Sequence, residues 1–333
     1  MRFRTETQAS RSAIAAAAKV GKTVTLQADD TLTATATAEP THVTHTIDAD
    51  IEAPGTVTVE ARAIMAALVG SGSASVELTR DRLHVESGIR AAIPIIVGPG
   101  MERTPVAPGV NVDGALFADA LRRASYCASH DEARPNLRGV LADGDRLIAT
   151  DGHRLSCVPS PLNVDAEIII PVESIPTICA ALDGPATIGS DNGSITVTCG
   201  PVVLRTRAVD GKFPNYRQVI PARREPTTFN RASMLAAVKA VAPFANPKTS
   251  VLRLSVSDEK MALYAADPDN GEAATQVECV GADSAPIGVN HHYMTEALGA
   301  IRCEEVEIEM DGPLSAVVMR DGDAVHVVMP MRI

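Results

Sequence analysis

Hydrophobic and polar positions recur along this chain in an order that appears three times. An Ala-rich amphipathic segment follows a short strand-like stretch at residues 9–20, 113–129 and 231–242. In the second segment, apolar side chains at helical spacing form one stripe, and charged side chains fall on the opposite side. This spacing predicts helices that bury one face; the stripe comprises Leu116, Phe117, Ala120, Leu121, Ala124 and Cys127.

Each predicted helix is followed by alternating apolar residues around a short polar turn, at residues 24–37, 139–152 and 253–266. Alternation around such turns predicts β-hairpins. A strand that leads into a second amphipathic helix comes next, at residues 56–69, 167–182 and 286–301. A further predicted hairpin closes each set, at residues 75–87, 186–199 and 305–320.

The same order of elements at intervals of about 110 residues indicates an internal threefold repeat. Strands grouped around two helices per repeat predict an α+β fold, in which helices cover one face of an antiparallel sheet. Pro-rich stretches at 98–109 and 221–226 are typical of linkers. We therefore predict three tandem domains, at residues 1–105, 111–221 and 226–333.

Composition narrows the class of protein. The 333 residues are 45% hydrophobic and carry a formal net charge of −11, which argues against holding nucleic acid by bulk positive charge. The six Cys residues form no C-x-x-C pair and are typical of reduced thiols in a cytosolic protein. The sequence indicates neither a signal peptide nor an apolar run near the ~20 residues that a membrane helix needs.

Two His-containing motifs are weak indications of catalysis or metal binding. Asp151 and His153 could form an acid–base pair, but catalysis also needs a nucleophile, and Asp-Gly is more typical of a tight turn. The adjacent His291 and His292 would point about 100° apart on a helix, a poor arrangement for a metal. Without a Gly-rich phosphate loop or an acidic metal cluster, we predict a non-catalytic protein with no cofactor and no metal site.

Two separated stretches predict one apolar pocket. The chain ends on HVVMPMRI (326–333), which is too apolar for a free tail and predicts a last strand docked against the core. Its alternate side chains remain available for binding. We expect the stretch IATDGHRLS (148–156) to form the facing wall.

At these stretches the chain resembles a known family. The segments ATDGHRLS (149–156), VDGKFPNYRQVIP (209–221) and VVMPMRI (327–333) are similar to those of the bacterial sliding clamp, the beta subunit of DNA polymerase III. The resemblance implies a head-to-tail homodimer, closed into a ring with helices lining the hole. It also implies a processivity factor that encircles double-stranded DNA without sequence preference. Polymerase and clamp-loader subunits would be its partners through short peptide motifs.

The resemblance implies a partner-peptide pocket in which apolar anchors enter adaptable Met-lined walls. Gln218 departs from the family pattern, which commonly has Arg there. The implied pocket residues are Leu137, Thr150, Gly152, His153, Arg154, Leu155, Pro214, Gln218, Val219, Leu314, Ala316, Val327, Met329 and Met331.

Two further surfaces follow from the same resemblance. Cations on or beside the predicted helices would face DNA phosphates without reading bases; they are Arg11, Lys19, Arg62, Arg122, Arg123, Arg134, Arg231 and Lys239. The apolar stretch 89–97, in which Pro94 marks an edge strand, would form the dimer seam with residues Ala92, Ile93, Ile95 and Phe244.

Other functions stay open at this point. The same fold could serve only as a peptide-docking hub, or as a competitor of a host clamp, without retaining DNA. A cytosolic enzyme using Asp151 and His153 is a third reading, which no other residue supports.

Overall fold

The computed structural model describes residues 1–98 and 100–333, and the chain forms two compact units. The first unit comprises Met1–Ala118 with Glu173–Ala208, and the second comprises Asp119–Val172 with Val209–Ile333. Each unit therefore combines a terminal repeat with part of the middle one. The division into three domains stays a prediction.

Helices lie at all six places where the sequence predicts them. Asn residues begin two of them: the Asn230 side chain accepts a hydrogen bond from the Ser233 backbone, and Asn290 does so from His292. In the described residues, no helix has the length and apolar character needed to cross a membrane. The helices are α1 (Thr7–Ala18), α2 (Ala61–Ala67), α3 (Gly114–Ser125), α4 (Ile175–Ala181), α5 (Arg231–Val241) and α6 (His291–Ala300).

Every strand pairing in the described part of the chain is antiparallel, which confirms the predicted α+β class. The strands are β1 (Arg2–Glu6), β2 (Thr23–Ala28), β3 (Leu32–Ala38), β4 (Thr41–Ile47), β5 (Ala49–Ala53), β6 (Gly55–Glu60), β7 (Ser73–Leu78), β8 (Arg82–Glu86), β9 (Arg90–Pro94), β10 (Gly109–Asp113), β11 (Gly139–Thr150), β12 (Arg154–Pro171), β13 (Pro185–Asp191), β14 (Ser194–Cys199), β15 (Val202–Arg207), β16 (Thr227–Asn230), β17 (Val251–Ser257), β18 (Lys260–Asp267), β19 (Gly271–Val280), β20 (Ser284–Asn290), β21 (Glu305–Glu309), β22 (Val317–Asp321) and β23 (Ala324–Val328).

Two sheets belong to the first unit and one to the second. In the first unit the orders are β5-β1-β7-β8-β9 and β10-β13-β14-β15-β4-β3-β2-β6. The second unit holds β11-β12-β23-β22-β21-β16-β19-β18-β17-β20. In each unit, strands of consecutive repeats are hydrogen-bonded neighbours. We call the β4–β15 pairing the first seam and the β12–β23 pairing the second seam.

The last strand, β23, separates two apolar cores of the second unit. Its alternating side chains face opposite sides of the sheet. Val327 packs into a small core with Leu137 and Leu155. Val328 packs into the larger core of the third repeat, beneath α5 and α6. The predicted docking of the chain end is confirmed.

The structure differs from expectation at residues 139–152, where a hairpin is predicted. One continuous strand, β11, covers this segment, and Gly144 takes a left-handed φ of +56° within it. The register against β12 shifts on both sides of Gly144, and both halves pair with the same long strand. Because both halves pair with β12 in one antiparallel direction, the chain does not reverse between them. The other predicted hairpins are confirmed.

The predicted linkers lack regular structure over residues 100–108 and 221–226. Pro99, within the first linker, lies outside the described residues.

Candidate functional site

The turn between β11 and β12 is fixed by its own side chains. Asp151 accepts hydrogen bonds from the backbone N–H groups of His153 at 2.8 Å and Arg154 at 3.1 Å. Gly152 takes a φ of +93°, a conformation that favours glycine. The Asp151 carboxylate therefore holds the turn and does not orient the His153 imidazole. The geometry gives the catalytic reading no support.

Arg154 connects this turn to helix α6. Its guanidinium carbon lies 4.5 Å from the centre of the Tyr293 ring and 5.3 Å from that of Tyr126. The same group pairs with Asp151 at 3.0 Å and with Glu296 of α6. A guanidinium between two aromatic rings, paired with two carboxylates, has few alternative positions. Arg154 thus forms a rigid wall of the predicted pocket.

Buried and exposed residues divide the predicted pocket into a floor and a rim. Leu155 is 1% exposed and Leu137 is 6% exposed, so both belong to the core, together with Val327. Met329 is 39% exposed and Leu314 is 79% exposed. The other exposed members are Gly152, His153, Pro214, Gln218 and Val219, and the half-buried ones are Thr150, Arg154, Ala316 and Met331.

Backbone hydrogen bonds hold the chain end beside the turn. The Met329 N–H donates to the His153 carbonyl at 2.9 Å, and the Met331 N–H donates to the Gly288 carbonyl at 2.7 Å. At Gly288, a Cβ atom would lie only 2.7 Å from the Met331 carbonyl oxygen, so the tail approaches where glycine leaves space. Both methionines are thus held in place, Met329 exposed to solvent and Met331 half-buried.

The segment 209–221 meets the same core through two aromatic residues. Phe213 and Tyr216 are buried with Leu155, and the Tyr216 hydroxyl donates to Asp143 at 2.8 Å. Burial and this hydrogen bond raise the pKa of Tyr216. Gln218, the last residue of the short 3-10 turn Tyr216–Gln218, is exposed. The structure thus attaches the segments that carry the resemblance to one core of the second unit.

The predicted DNA-facing cations differ in what surrounds them. Arg231 donates to the Cys303 carbonyl at 3.0 Å, and Arg134 donates to Asp131 at 2.9 Å. Arg123 is mostly buried in an ion pair with Asp321 and donates to the Ala300 carbonyl at 3.1 Å. The remaining members are exposed: Arg11, Lys19, Arg62, Arg122 and Lys239.

The predicted dimer-seam residues lie at a sheet edge and after a helix. Strand β9 is the last strand of its sheet, as Pro94 predicts. Within it, Ala92 is exposed and Ile93 is buried, and Ile95 follows it half-buried. Phe244 lies in the 3-10 turn after α5 and packs partly against the large core.

Sequence reasoning missed a buried polar network at the second seam. The Tyr126 hydroxyl lies 3.0 Å from Nδ1 of His326, and the Ser156 hydroxyl lies 3.2 Å from the same atom. Burial, and then the nearby charge of Arg123, lowers the pKa of His326 to about 4. Burial by itself would raise the pKa of Asp321. Hydrogen bonds from Arg302 and Cys303, together with the charge of Arg123, outweigh burial, and the net effect is a lowered pKa.

One signal for this network was present in the sequence. His326 lies between valines in an alternating strand, on the face opposite Val327, where a polar ring needs a partner. The partners, Tyr126 and Ser156, are far from His326 in the sequence and could not be identified from it. In the described residues, no group of His, Cys, Asp or Glu side chains is arranged to hold a metal ion.

Comparison with known proteins identifies the family to which this chain belongs. Residues 111–215 match the model of the DNA polymerase III beta subunit central domain, and residues 217–332 match that of its C-terminal domain. A beta sliding clamp of Vibrio cholerae is 29% identical over 86% of this chain and 84% of its own. One of Salmonella typhimurium is 28% identical over 84% of this chain and 82% of its own.

A solved structure extends the match to the whole chain. The crystal structure of a DNA polymerase sliding clamp from Pseudomonas aeruginosa, solved with a ligand, superposes with a TM-score of 0.91. It covers 100% of both chains at 24% sequence identity, which shows a shared fold.

Proposed function

Because this chain belongs to the family of DNA polymerase III beta subunits, the beta sliding clamps, we propose that it is a non-catalytic processivity factor. Two copies close head to tail around duplex DNA, and the ring tethers a polymerase in the bacterial cytoplasm, at the nucleoid. The domains at 1–105, 111–221 and 226–333 form the ring, with their helices toward the hole.

The repetition of the seams is the observation that carries ring closure. In both seams, the closing strand of one repeat pairs with a strand of the preceding repeat, the one that follows residues 24–37 or 139–152: β15 pairs with β4, and β23 with β12. The closing strand of the first repeat, β9, remains a free edge. Its missing partner would be the strand that follows residues 253–266 in the third repeat, which is β19. Pairing β9 of one copy with β19 of the other closes a ring of two chains.

Strand β19 has an edge available for this pairing. It pairs with β18 along its length, but with β16 at only two positions near its end. Beside it, a groove of about 500 Å³ opens between α5 and β19, lined by small residues such as Ala236 and Ala240. An unpaired strand edge beside an open groove favours addition of another strand.

The exposed cations on the helices support contact with DNA backbones. Arg11, Lys19, Arg62, Arg122 and Lys239 are exposed and can reach phosphates, whereas Arg123 is mostly buried in its ion pair with Asp321. With a net charge of −11, retention has to come from enclosure. We therefore expect weak salt dependence after closure, unlike that of a groove-binding protein.

Retention on DNA tests the ring. The loaded protein should remain on nicked circular DNA and leave within seconds once the circle is linearised, as measured by gel filtration of labelled complexes. Ala92→Asp, at an exposed position of β9, should place a charge in the seam, give monomers in sedimentation and abolish retention. Leu116→Asp, at an exposed position of α3, is the matched control and should remain dimeric.

Retention that is equal on circular and linear DNA would contradict enclosure. A folded protein that docks partner peptides without being retained on either DNA would instead favour the peptide-docking hub or the host-clamp competitor.

The pocket of the second unit is the proposed docking site for partner peptides. A floor of Leu137, Leu155 and Val327 lies beside an exposed Met329 and a turn held rigid by Arg154. Buried apolar anchors supply most of the affinity in such sites, and flexible Met side chains adapt to several partners. Thr150, Gly152 and His153 supply the polar edge of the site, with Pro214, Gln218, Val219, Leu314, Ala316 and Met331 around the rim.

Rim variants separate binding from folding. Leu155 is core, so Leu155→Ala would destabilise the protein by roughly 2–5 kcal/mol and confuse the result. Met329→Ala should weaken binding of peptides from the cognate polymerase about tenfold, which corresponds to about 1.4 kcal/mol, in fluorescence anisotropy. Val106→Ala, an exposed apolar position of the first unit, should leave the affinity unchanged. Equal peptide affinities for the wild type, Met329→Ala and Val106→Ala would disprove this location of the docking site.

A further inference from the structure

A large cavity lies at the first seam, within the first unit. Its volume is about 630 Å³. Helices α1 and α4 and strand β4 border it, and the turn between β14 and β15 completes the wall. The lining is mainly small and apolar, including Ala16, Ala181 and Val202. Cavities of about 150 Å³ already hold a benzene ring, so this one accepts a larger organic molecule.

The corresponding place at the second seam is filled by large side chains. There, Arg123 and Tyr126 stand at the same distances from the first residue of α3 as Ala16 and Lys19 do from the first residue of α1, and Arg123 pairs with Asp321. At the first seam, Ala16 and Lys19 border the cavity together with Val202 of β15 and the alanines of α4. The repeated fold therefore forms the same space twice, and the sequence fills it once.

Two polar groups border the cavity of the first seam. The Nδ1 atom of His45 is buried and has no hydrogen-bond partner among the described residues. Burial lowers the pKa of His45, so its ring is neutral at pH 7 and can accept from, or donate to, a ligand. Lys19 is exposed at the wall and forms no ion pair in the described part of the chain.

These groups restrict the ligand. The Lys19 ammonium favours an anionic end, and Asp183 in the same wall disfavours a group with two charges, such as a phosphate. The apolar lining favours an aromatic or aliphatic body, and His45 favours one hydrogen-bonding group within it.

We propose that this cavity is a binding site for a small aromatic monocarboxylic acid, with the carboxylate at Lys19, the ring among the alanines and a polar ring atom at His45. The site shares no residue with the peptide pocket. A bound ligand would occupy at the first seam the space that side chains occupy at the second.

Isothermal titration with indole-3-propionate and its uncharged amide tests this site. Wild-type protein should bind the acid at least fivefold more tightly than the amide. Lys19→Met should remove that preference and leave amide binding unchanged. Ala181→Phe should abolish binding of both compounds, because the new ring occupies the cavity, whereas Ala115→Phe, on an exposed position of α3, should not.

Binding elsewhere is separated by one further variant. Met329→Ala alters the peptide pocket and should leave the affinity for indole-3-propionate unchanged. No binding at millimolar concentration, equal binding by Lys19→Met, or loss of binding with Met329→Ala but not with Ala181→Phe would each overturn the proposal.

Discussion

The two seams share one strand topology and differ in the chemistry that fastens them. At the first seam, neutral hydroxyl groups connect the elements: Ser174 lies 2.8 Å from Thr41 and 2.7 Å from Thr206. At the second seam, Arg123 pairs with Asp321, and Arg154 pairs with Glu296. A repeated fold thus fixes which strands meet and leaves the side chains between them free to diverge.

The difference should make only the second seam sensitive to charge. Neutral hydrogen bonds each contribute about 1 kcal/mol net and are largely independent of salt and pH. A mostly buried ion pair contributes little over apolar residues of the same size, but it is costly to break, because one charge then remains buried alone.

The largest expected effect is on the Arg123–Asp321 pair. Arg123→Met should lower the free energy of unfolding by about 3–5 kcal/mol, because Asp321 stays buried without its cation. Ser174→Ala, the matched change at the first seam, should cost about 1 kcal/mol. Urea unfolding followed by circular dichroism measures both. A cost for Arg123→Met no larger than that for Ser174→Ala would show that the seams are fastened equally.

The second prediction concerns pH and His326. Its pKa is lowered from 6.5 to about 4, so between these values the unfolded chain binds more protons than the folded one. Stability should therefore fall as pH falls through this window, by about 3 kcal/mol. His326→Gln should flatten this part of the profile of unfolding midpoint against pH.

Replacement of an exposed histidine is the control for that profile. His84→Gln, on β8 of the first unit, should keep the full loss of stability at low pH. A profile that is as steep in His326→Gln as in the wild type would assign the loss to other groups.

The smallest expected effect is at the cavity of the first seam. Ala181→Phe should increase stability by about 1 kcal/mol, because the ring buries apolar surface in space that is already present. Ala115→Phe, on an exposed helical position, should change stability by less than about 0.5 kcal/mol. Thermal unfolding compares the two. A destabilised Ala181→Phe would mean that the cavity cannot take a ring without strain.

The helices and most strands could be predicted because the patterns behind them are local. A helix buries every third or fourth side chain and a strand every second. The helical spacing of apolar residues is visible in the sequence at α1, α3 and α5. The hairpin prediction for the segment 139–152 was wrong, because its polar residues do not reverse the chain. Both halves pair with the long strand β12, whose length the local pattern does not show.

The segments of the proposed pocket come together in one unit, but the sequence did not show which of their residues are buried. Leu155 and Met329 look alike in the sequence, as apolar residues in strands, yet one is core and the other is rim. Strand alternation assigns a side chain to a face of the sheet. Whether that face meets solvent depends on what packs against it, which here includes Phe213 and Tyr216 from the segment 209–221.

Local periodicity and short motifs were enough to predict the recurring order of elements, the α+β class, the family and the segments that carry the candidate site. The surroundings of individual polar side chains, in contrast, depend on residues that are distant in the chain and meet only in the folded protein. Arg123 lies on the polar face of α3 and was expected to face DNA, yet it pairs with Asp321, 198 residues away. Helical spacing shows which side chains lie outside the apolar stripe. The elements packed against the helix determine whether those side chains contact water, an opposite charge or an empty cavity.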